Sequence, residues 1–146
     1  MSNAIIRMIA TQDYEDITDL NTELGYDYDK EKVYQKIISI LEAGNDILLV
    51  AEQNGKVIGY AHGSPYETLY ADHLLNTVCF CVKEGIAEEE LIGNELYDAF
   101  EERAKRFGYK GIRLSLDQER EKAHDLFLKH GFETKRSLNH YIKYFR

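Results

Sequence analysis

Apolar residues recur along this chain with two spacings, one typical of helices and one typical of strands. Apolar positions three and four residues apart predict four helices, at 13–24, 29–42 and 94–107 and in the segment that begins at 120. Short apolar runs predict five strands, at 5–9, 46–53, 56–63, 74–82 and 112–116. The dipeptide Asn54-Gly55 predicts a type I′ hairpin turn between two of these strands. The aromatic segment 132–145 predicts two final strands.

The predicted order is β-α-α-β-β-β-α-β-α-β-β, which indicates a single α/β domain. We expect a mixed central sheet of about seven strands flanked by about four helices. The chain of 146 residues is 44% hydrophobic and 30% charged, which is ordinary for one globular domain. Residues 1–4 are polar and resemble a disordered start or a cloning remnant, so we place the domain at 5–146.

Several classes of protein are disfavoured by composition and charge. The sequence has neither an apolar run long enough to cross a bilayer nor an export signal at its start, so we expect a cytoplasmic protein without a membrane partner. The net charge of −8 argues against nucleic acid. Residues 103–136 nevertheless carry ten Lys/Arg and five Asp/Glu, a local balance of +5. Such a basic third beside an acidic body suits an anionic cofactor and a cationic substrate.

The two cysteines, Cys79 and Cys81, lie two residues apart on a predicted strand. They therefore point to the same face, about 6.6 Å apart along the chain, which suits a disulfide poorly. Two sulfurs alone do not complete a zinc site, and no cluster of His, Cys and carboxylates has ligand spacing. We expect two reduced thiols and no metal.

Motifs along nearly the whole chain resemble those of the GNAT acetyltransferases. They include Leu49-Val50-Ala51-Glu52 before Val57-Ile58-Gly59, and the spacing from Gly93 through Gly108 to Gly131-Phe132. The chain is most similar to the branch that contains aminoglycoside 6′-acetyltransferase-like proteins. The resemblance implies transfer of an acetyl group from acetyl-CoA to a primary amine, without a covalent enzyme intermediate. It also implies a possible homodimer.

The family holds the cofactor pyrophosphate with a motif of Arg or Gln, two residues, Gly, one residue, and Gly or Ala, where a helix begins. Aligned through Gly93, this motif falls on Glu88, Leu91 and Gly93, so that only the last glycine is kept. By this alignment the cofactor-binding residues of the loop are Leu91, Ile92, Gly93 and Asn94. A rival alignment places Gly85-Ile86-Ala87 in the motif. The three glutamates at 88–90 are also simply favourable charges at a helix start.

Other cofactor residues follow from the same resemblance. The strand segment Phe80-Cys81-Val82 would offer backbone N–H groups to the thioester carbonyl, and Arg120 would contact the cofactor. Phe127 occupies the position where the family often has a tyrosine that protonates the leaving thiolate. A phenyl ring cannot donate, so Phe127 would pack beside the cofactor arm or fill the core, and water or Tyr141 would supply the proton.

A general base must accept a proton from the incoming ammonium group. The candidates are His62 and Glu67, with Asp72 and His73 as alternatives. Three tyrosines in acidic loops would form a lip suited to a cationic amine: Tyr26, Tyr28 and Tyr70. Two other functions stay open, a non-catalytic GNAT-fold module that binds a ligand or partner, and a dimerisation domain.

Overall fold

The computed structural model describes all 146 residues, which form five strands and four α-helices. A short 3-10 turn, Thr11–Asp13, precedes the first helix. The elements are β1 (Ile5–Met8), α1 (Tyr14–Glu23), α2 (Lys30–Ala43), β2 (Ile47–Gln53), β3 (Lys56–Tyr66), β4 (Leu74–Val82), α3 (Glu89–Arg106), β5 (Ile112–Arg113) and α4 (Glu121–Lys129). None of these helices combines the length and the apolar character needed to cross a membrane.

The strands lie in one mixed sheet in the order β1-β2-β3-β4-β5. The first four strands are antiparallel to their neighbours, and β5 runs parallel to β4. The predicted hairpin joins β2 to β3 through Asn54 and Gly55, whose φ angles of 53° and 78° are those of a type I′ turn. This turn was predicted correctly because its geometry depends on only two residues.

Helices cover both faces of the sheet. One face packs against α1 and α2, which bury their apolar stripes on side chains of β2, β3 and β4. The residues of this core include Ile17, Leu20, Val33, Ile37, Val50, Tyr60 and Cys81. The opposite face packs against α3, where Ile92 joins Ala51 and Ile58, and where Phe80 lies beside the rings of Tyr97 and Phe100.

A guanidinium clamp ties β1 to β2 and to the start of α1. Arg7 donates to both carboxylate oxygens of Asp13, at 2.8 and 2.9 Å, and to Oε1 of Glu52 at 2.8 and 3.0 Å. Asp13 is buried and also accepts the Ala10 amide at 2.8 Å. Burial by itself would raise the pKa of Asp13, but the bonds from Arg7 and Ala10 outweigh it and lower that pKa.

Several predictions about element number and length were wrong. The third strand continues to Tyr66 instead of ending at 63, and the fifth ends at Arg113 instead of 116. The sheet has five strands rather than seven, because residues 133–146 form neither helix nor strand. Tyr141, Tyr144 and Phe145 are 86%, 80% and 91% exposed, whereas aromatic residues favour a strand only on a packed surface. The third helix begins at Glu89 instead of Asn94, since the glutamates form its first turn, where negative charge is favourable.

The chain divides into two compact units, residues 1–115 and 116–146. The first contains the whole sheet with α1, α2 and α3. Residues 1–4, expected to stand outside the folded domain, contact this unit: the Ser2 amide lies 3.2 Å from Oε2 of Glu95, and Gln53 donates to Asn3 at 2.8 Å. The second unit contains α4, where the rings of Phe127 and Phe132 meet edge to face.

Candidate active site

The fourth strand loses one of its two neighbours partway along. At its beginning β4 pairs with β5 through Leu75↔Ile112 and Asn76↔Arg113, and β5 then ends. From Thr77 to Val82, β4 pairs only with β3. Along its other edge, β4 therefore has no neighbouring strand beyond Asn76, and in other proteins such strand edges bind extended ligands that add to the sheet as a further strand.

The hydrogen bonds of the β3–β4 ladder decide which amides point to this open edge. The Lys83 amide donates to the Ile58 carbonyl at 2.7 Å. Because bonded and non-bonded pairs alternate in an antiparallel ladder, the amide of Cys81 also points to β3. The amides of Phe80 and Val82 point away from β3. The β3–β4 ladder thus uses the amide of Cys81 but not those of Phe80 and Val82, and the role of this segment toward a thioester stays a prediction.

A bulge bends β4 beside the open edge. His62 pairs with Cys79 while the next residue of β3, Gly63, pairs with Thr77, so Val78 is the extra residue. A side chain at Gly63 would come within 3 Å of Leu75 and Phe100, so only glycine fits this close approach.

His62 lies directly opposite the bulge and forms an imidazole–carboxylate pair. Its Nε2 is 2.7 Å from Oδ2 of Asp46, and the two side chains are only 16% and 20% exposed. Nδ1 of His62 makes no bond within the protein, so it can exchange a proton with a bound molecule. Asp46 lies immediately before β2, and β2 pairs with β3, the strand that contains His62. The two side chains meet only through this pairing, so the sequence did not show that they are neighbours.

The same face of the sheet is polar beside this pair. Tyr60 shares it with His62 and donates to Oδ1 of Asn21 at 2.5 Å. Burial above all, followed by Cys79, Cys81 and Tyr26, raises the pKa of Tyr60, so its hydroxyl stays protonated. Both cysteines are free thiols, as predicted.

Glu67 lies away from the open edge, near the paired beginning of β4. Its Oε2 is 2.8 Å from Nδ1 of His73, whose ring stacks on Tyr109 with centroids 4.4 Å apart. The carboxylate of Glu67 is 67% exposed. The structure therefore brings together two of the predicted bases, Glu67 and His73, and separates them from the bulge where His62 lies.

The start of α3 is acidic and has no side-chain cap. Glu88, at the N-cap, has a φ of 63°, and Oε1 of Glu89 turns back to accept the Gly85 amide at 3.0 Å. The Ile92 amide is bonded to the Glu88 carbonyl at 2.9 Å, so the amides that open the helix are those of residues 89–91.

Four predicted cofactor residues therefore lie inside α3. Ile92 is a buried core residue, and Gly93 lies in the helical hydrogen-bond ladder. Asn94 donates to the Glu90 carbonyl at 3.0 Å. Of the four, Leu91 alone has its amide at the opening of the helix, with a side chain that is 39% exposed. The expectation that amides near Gly93 open this helix was wrong by about one turn.

The three predicted substrate tyrosines are exposed, and their role toward a cationic amine stays a prediction. Tyr26 follows α1 and lies near Tyr60. The ring of Tyr28 already has the ammonium groups of Lys32 and Lys36 within 5.8 Å, beside a surface cavity of about 310 Å³ on α2. Tyr70 lies in the loop between β3 and β4.

A second polar group on this face was missed by the sequence argument. Arg113 donates to Oδ1 of Asn76 at 2.6 Å, and its guanidinium lies 4.2 Å from the centroid of Tyr66. In the sequence, this group was indicated only by one charged residue between the apolar Ile112 and Leu114. Only the strand register shows that its neighbours are polar.

The remaining two predicted cofactor residues belong to the second unit. Arg120 is the N-cap residue of α4, with its carbonyl bonded to the His124 amide at 3.1 Å, and Phe127 is buried against Phe132. Their role toward a cofactor stays a prediction. No group of three or more His, Cys, Asp or Glu side chains is arranged to hold a metal ion.

Known proteins share the fold of this chain. Residues 6–146 match the family model described as an acetyltransferase (GNAT) domain. No curated protein matches the sequence. The structure is similar to that of glucosamine-6-phosphate N-acetyltransferase from Arabidopsis thaliana, with a TM-score of 0.81 and 15% identity over 97% of this chain and 100% of that one.

Two aminoglycoside-modifying enzymes have the same fold. The 6'-N-acetyltransferase AAC(6')-Ih from Acinetobacter baumannii gives a TM-score of 0.79 with 16% identity, over 97% of this chain and 99% of that one. AAC(6')-Iy, in complex with the bisubstrate analogue CoA-S-monomethyl-acetylneamine, gives 0.80 with 18% identity, over 98% and 99%. At these identities the likeness establishes the fold.

Proposed function

The chain belongs to the GNAT family of acetyltransferases, and from that premise we propose that it transfers an acetyl group from acetyl-CoA to a primary amine. The acceptor would be a small molecule with a cationic ammonium group. A cytoplasmic location, a homodimeric assembly and the absence of a nucleic-acid partner belong to the same proposal, as implied by composition and by resemblance.

The observation that supports this proposal most strongly is the open edge of β4. Beyond Asn76 no further strand lies beside β4, and the amide of Val82 points away from β3 at this edge. An extended amide-containing chain such as pantetheine can pair with this edge as a further strand would. An N–H group at this edge would also stabilise negative charge on the thioester oxygen during transfer.

The start of α3 fits the pyrophosphate less well. The amides of residues 89–91 and the positive end of the helix dipole favour an anion there. Glu88, Glu89 and Glu90 oppose it, and Glu89 already occupies the Gly85 amide. We therefore expect acetyl-CoA to be held mainly by the strand edge, with weaker binding at the phosphates.

His62 is the base that the geometry favours. Its Nε2 is held by Asp46, which fixes the ring and stabilises the imidazolium, while Nδ1 is available to take a proton from the ammonium group directly or through one water. The deprotonated amine then attacks the thioester carbonyl. Since Phe127 cannot donate a proton, the departing thiolate would take its proton from water.

The test combines cofactor binding with turnover. Acetyl-CoA should raise the melting temperature of the protein, and desulfo-CoA, which keeps the phosphates and the pantetheine amides, should do so as well. A panel of primary amines is then screened for release of free CoA thiol. A melting temperature that millimolar acetyl-CoA leaves unchanged would overturn the proposal.

A non-catalytic ligand-binding module is the second candidate, and the acidic start of α3 is what favours it. Three consecutive glutamates and an occupied loop amide, at Gly85, are poor features for a diphosphate site. This candidate predicts binding of acetyl-CoA, or of another ligand, without release of thiol in the presence of any amine.

A further inference from the structure

We propose that the acceptor carries an anionic group, a carboxylate or a phosphate, in addition to its amine, and that Arg113 binds this anion. The inference rests on the proposed function, because it concerns the acceptor of the same site. The observation behind it is that Arg113 has no carboxylate partner within the protein.

Arg113 is a half-buried cation without a carboxylate partner. Its guanidinium donates one bond, to the neutral amide of Asn76, and stacks on Tyr66. No Asp or Glu oxygen lies within ion-pair distance of it. Taking a charge partly out of water without pairing it costs free energy. Four of its five N–H donors remain for a planar or tetrahedral anion.

The strand register shows on which face of the sheet the side chain of Arg113 lies. A side chain at Gly63 would point to Phe100 of α3, so Ser64 and Tyr66 of β3 point to the opposite face. Asn76 pairs with Ser64, and Arg113 pairs with Asn76. All of them therefore lie on the face that His62 shares with Tyr60.

This placement separates Arg113 from the expected phosphates of the cofactor. Asn76 lies six residues before Val82 along β4, which corresponds to about 20 Å of strand. The start of α3 follows Val82 at the far end. An anion bound at Arg113 is thus held beside the acceptor, on the side of the bulge away from α3.

The distance to His62 limits the kind of acceptor. Tyr66, over which the guanidinium lies, is four residues from His62 along β3, or about 13 Å between Cα atoms. An amine near His62 and an anion at Arg113 must therefore be several bonds apart. Amino sugar phosphates and ω-amino carboxylates have this separation, whereas polyamines have no anion at all.

The experiment uses matched pairs of acceptors that differ only in the anion. Glucosamine 6-phosphate is compared with glucosamine, and 6-aminohexanoate with its amide, by thiol release from acetyl-CoA. We expect the anionic member of at least one pair to have a kcat/KM about 10 to 100 times higher, the range for a charge-assisted bond in a partly buried site.

Variants then assign this preference to one side chain. Arg113→Gln should remove it through a higher KM for the anionic acceptor, and Arg113→Lys should restore part of it. The KM for acetyl-CoA should not change. Arg106→Gln is the matched control, since Arg106 is exposed at the end of α3 and pairs only with Glu102.

The outcomes separate the inference from the function on which it rests. If both members of every pair release thiol at equal rates, the proposal of an anionic acceptor would be overturned, whereas the proposed transferase function would stand. A higher KM for acetyl-CoA in Arg113→Gln would instead assign this side chain to the cofactor and overturn the inference. Absence of both thiol release and acetyl-CoA binding would overturn the proposed function. Because the acceptor pairs are tested on the unaltered protein, a variant that fails to fold does not affect this result.

Discussion

The two halves of the sheet are built in different ways. Strands β1, β2 and β3 are paired along most of their length, covered by helices and tied together by the Arg7 clamp. In the outer half, β4 loses its second neighbouring strand after Asn76, where the two-residue β5 ends. We expect the closed half to supply stability and the open half to bind the ligand. The following predictions test this division.

Replacing His62 should have the largest effect on turnover. His62→Asn keeps a partner for Asp46 but removes the base, so we expect kcat/KM to fall by about 10² to 10⁴. Binding of acetyl-CoA, measured by calorimetry, should not change. Asp46→Asn should give a smaller loss, because it removes only the group that orients the ring. Normal turnover in His62→Asn would show that the base lies elsewhere.

Val82→Pro tests the open edge itself. Proline removes an N–H group that the ladder does not use, so the fold should tolerate it. We expect the affinity for acetyl-CoA to fall by up to about tenfold, because one hydrogen bond is lost and the proline ring crowds the edge. The control is Cys81→Pro, one residue earlier, which should lower thermal stability by removing a ladder bond. Similar effects from both variants would refute the assignment of outward and inward amides.

Asp13→Asn should affect the closed half alone. Losing the charge-assisted bonds from Arg7 should lower the free energy of unfolding by about 2 kcal/mol, as measured with urea at neutral pH. Since the pKa of Asp13 is lower in the folded protein, its contribution is present above the ordinary pKa, about pH 4, and is lost as the pH falls below it. The two proteins should therefore converge in acid. A change in the affinity for acetyl-CoA would contradict the division into halves.

The smallest effect is expected at the start of α3. Glu88→Arg exchanges an opposing charge for a favourable one beside the opening amides, so acetyl-CoA should bind about two- to fivefold more tightly. Glu42→Arg makes the same charge change at the end of α2. Equal gains in both variants would indicate a general charge effect and would place the phosphates away from α3.

Sequence patterns correctly predicted the elements whose conformation depends on residues close by in the chain. Asn54-Gly55 predicted its turn, the bounds of β4 were predicted correctly, and Ile17 and Leu20 lie in the core as their spacing indicated. The same reasoning failed for residues 132–145. A strand there depends on pairing and burial that the composition of the segment cannot supply.

The candidate site was predicted less completely, because its chemistry arises between strands. His62 was one of four possible bases, and only its pairing with Asp46, sixteen residues earlier, distinguishes it from Glu67. The role of the Phe80-Cys81-Val82 segment stays a prediction, and the alternation of its amides depends on the bond between Lys83 and Ile58. Arg113 was not identified at all.

Motifs and their spacing indicated the family, and periodicity and turn chemistry predicted the mixed sheet and the bounds of β4, because these signals act over a few residues. The tertiary structure decided which amides of β4 point to β3, which carboxylates lie beside His62 and His73, and that Arg113 has an amide rather than a carboxylate as its partner. Those properties depend on strand register, and a shift of one residue would reverse every one of these side chains and amides.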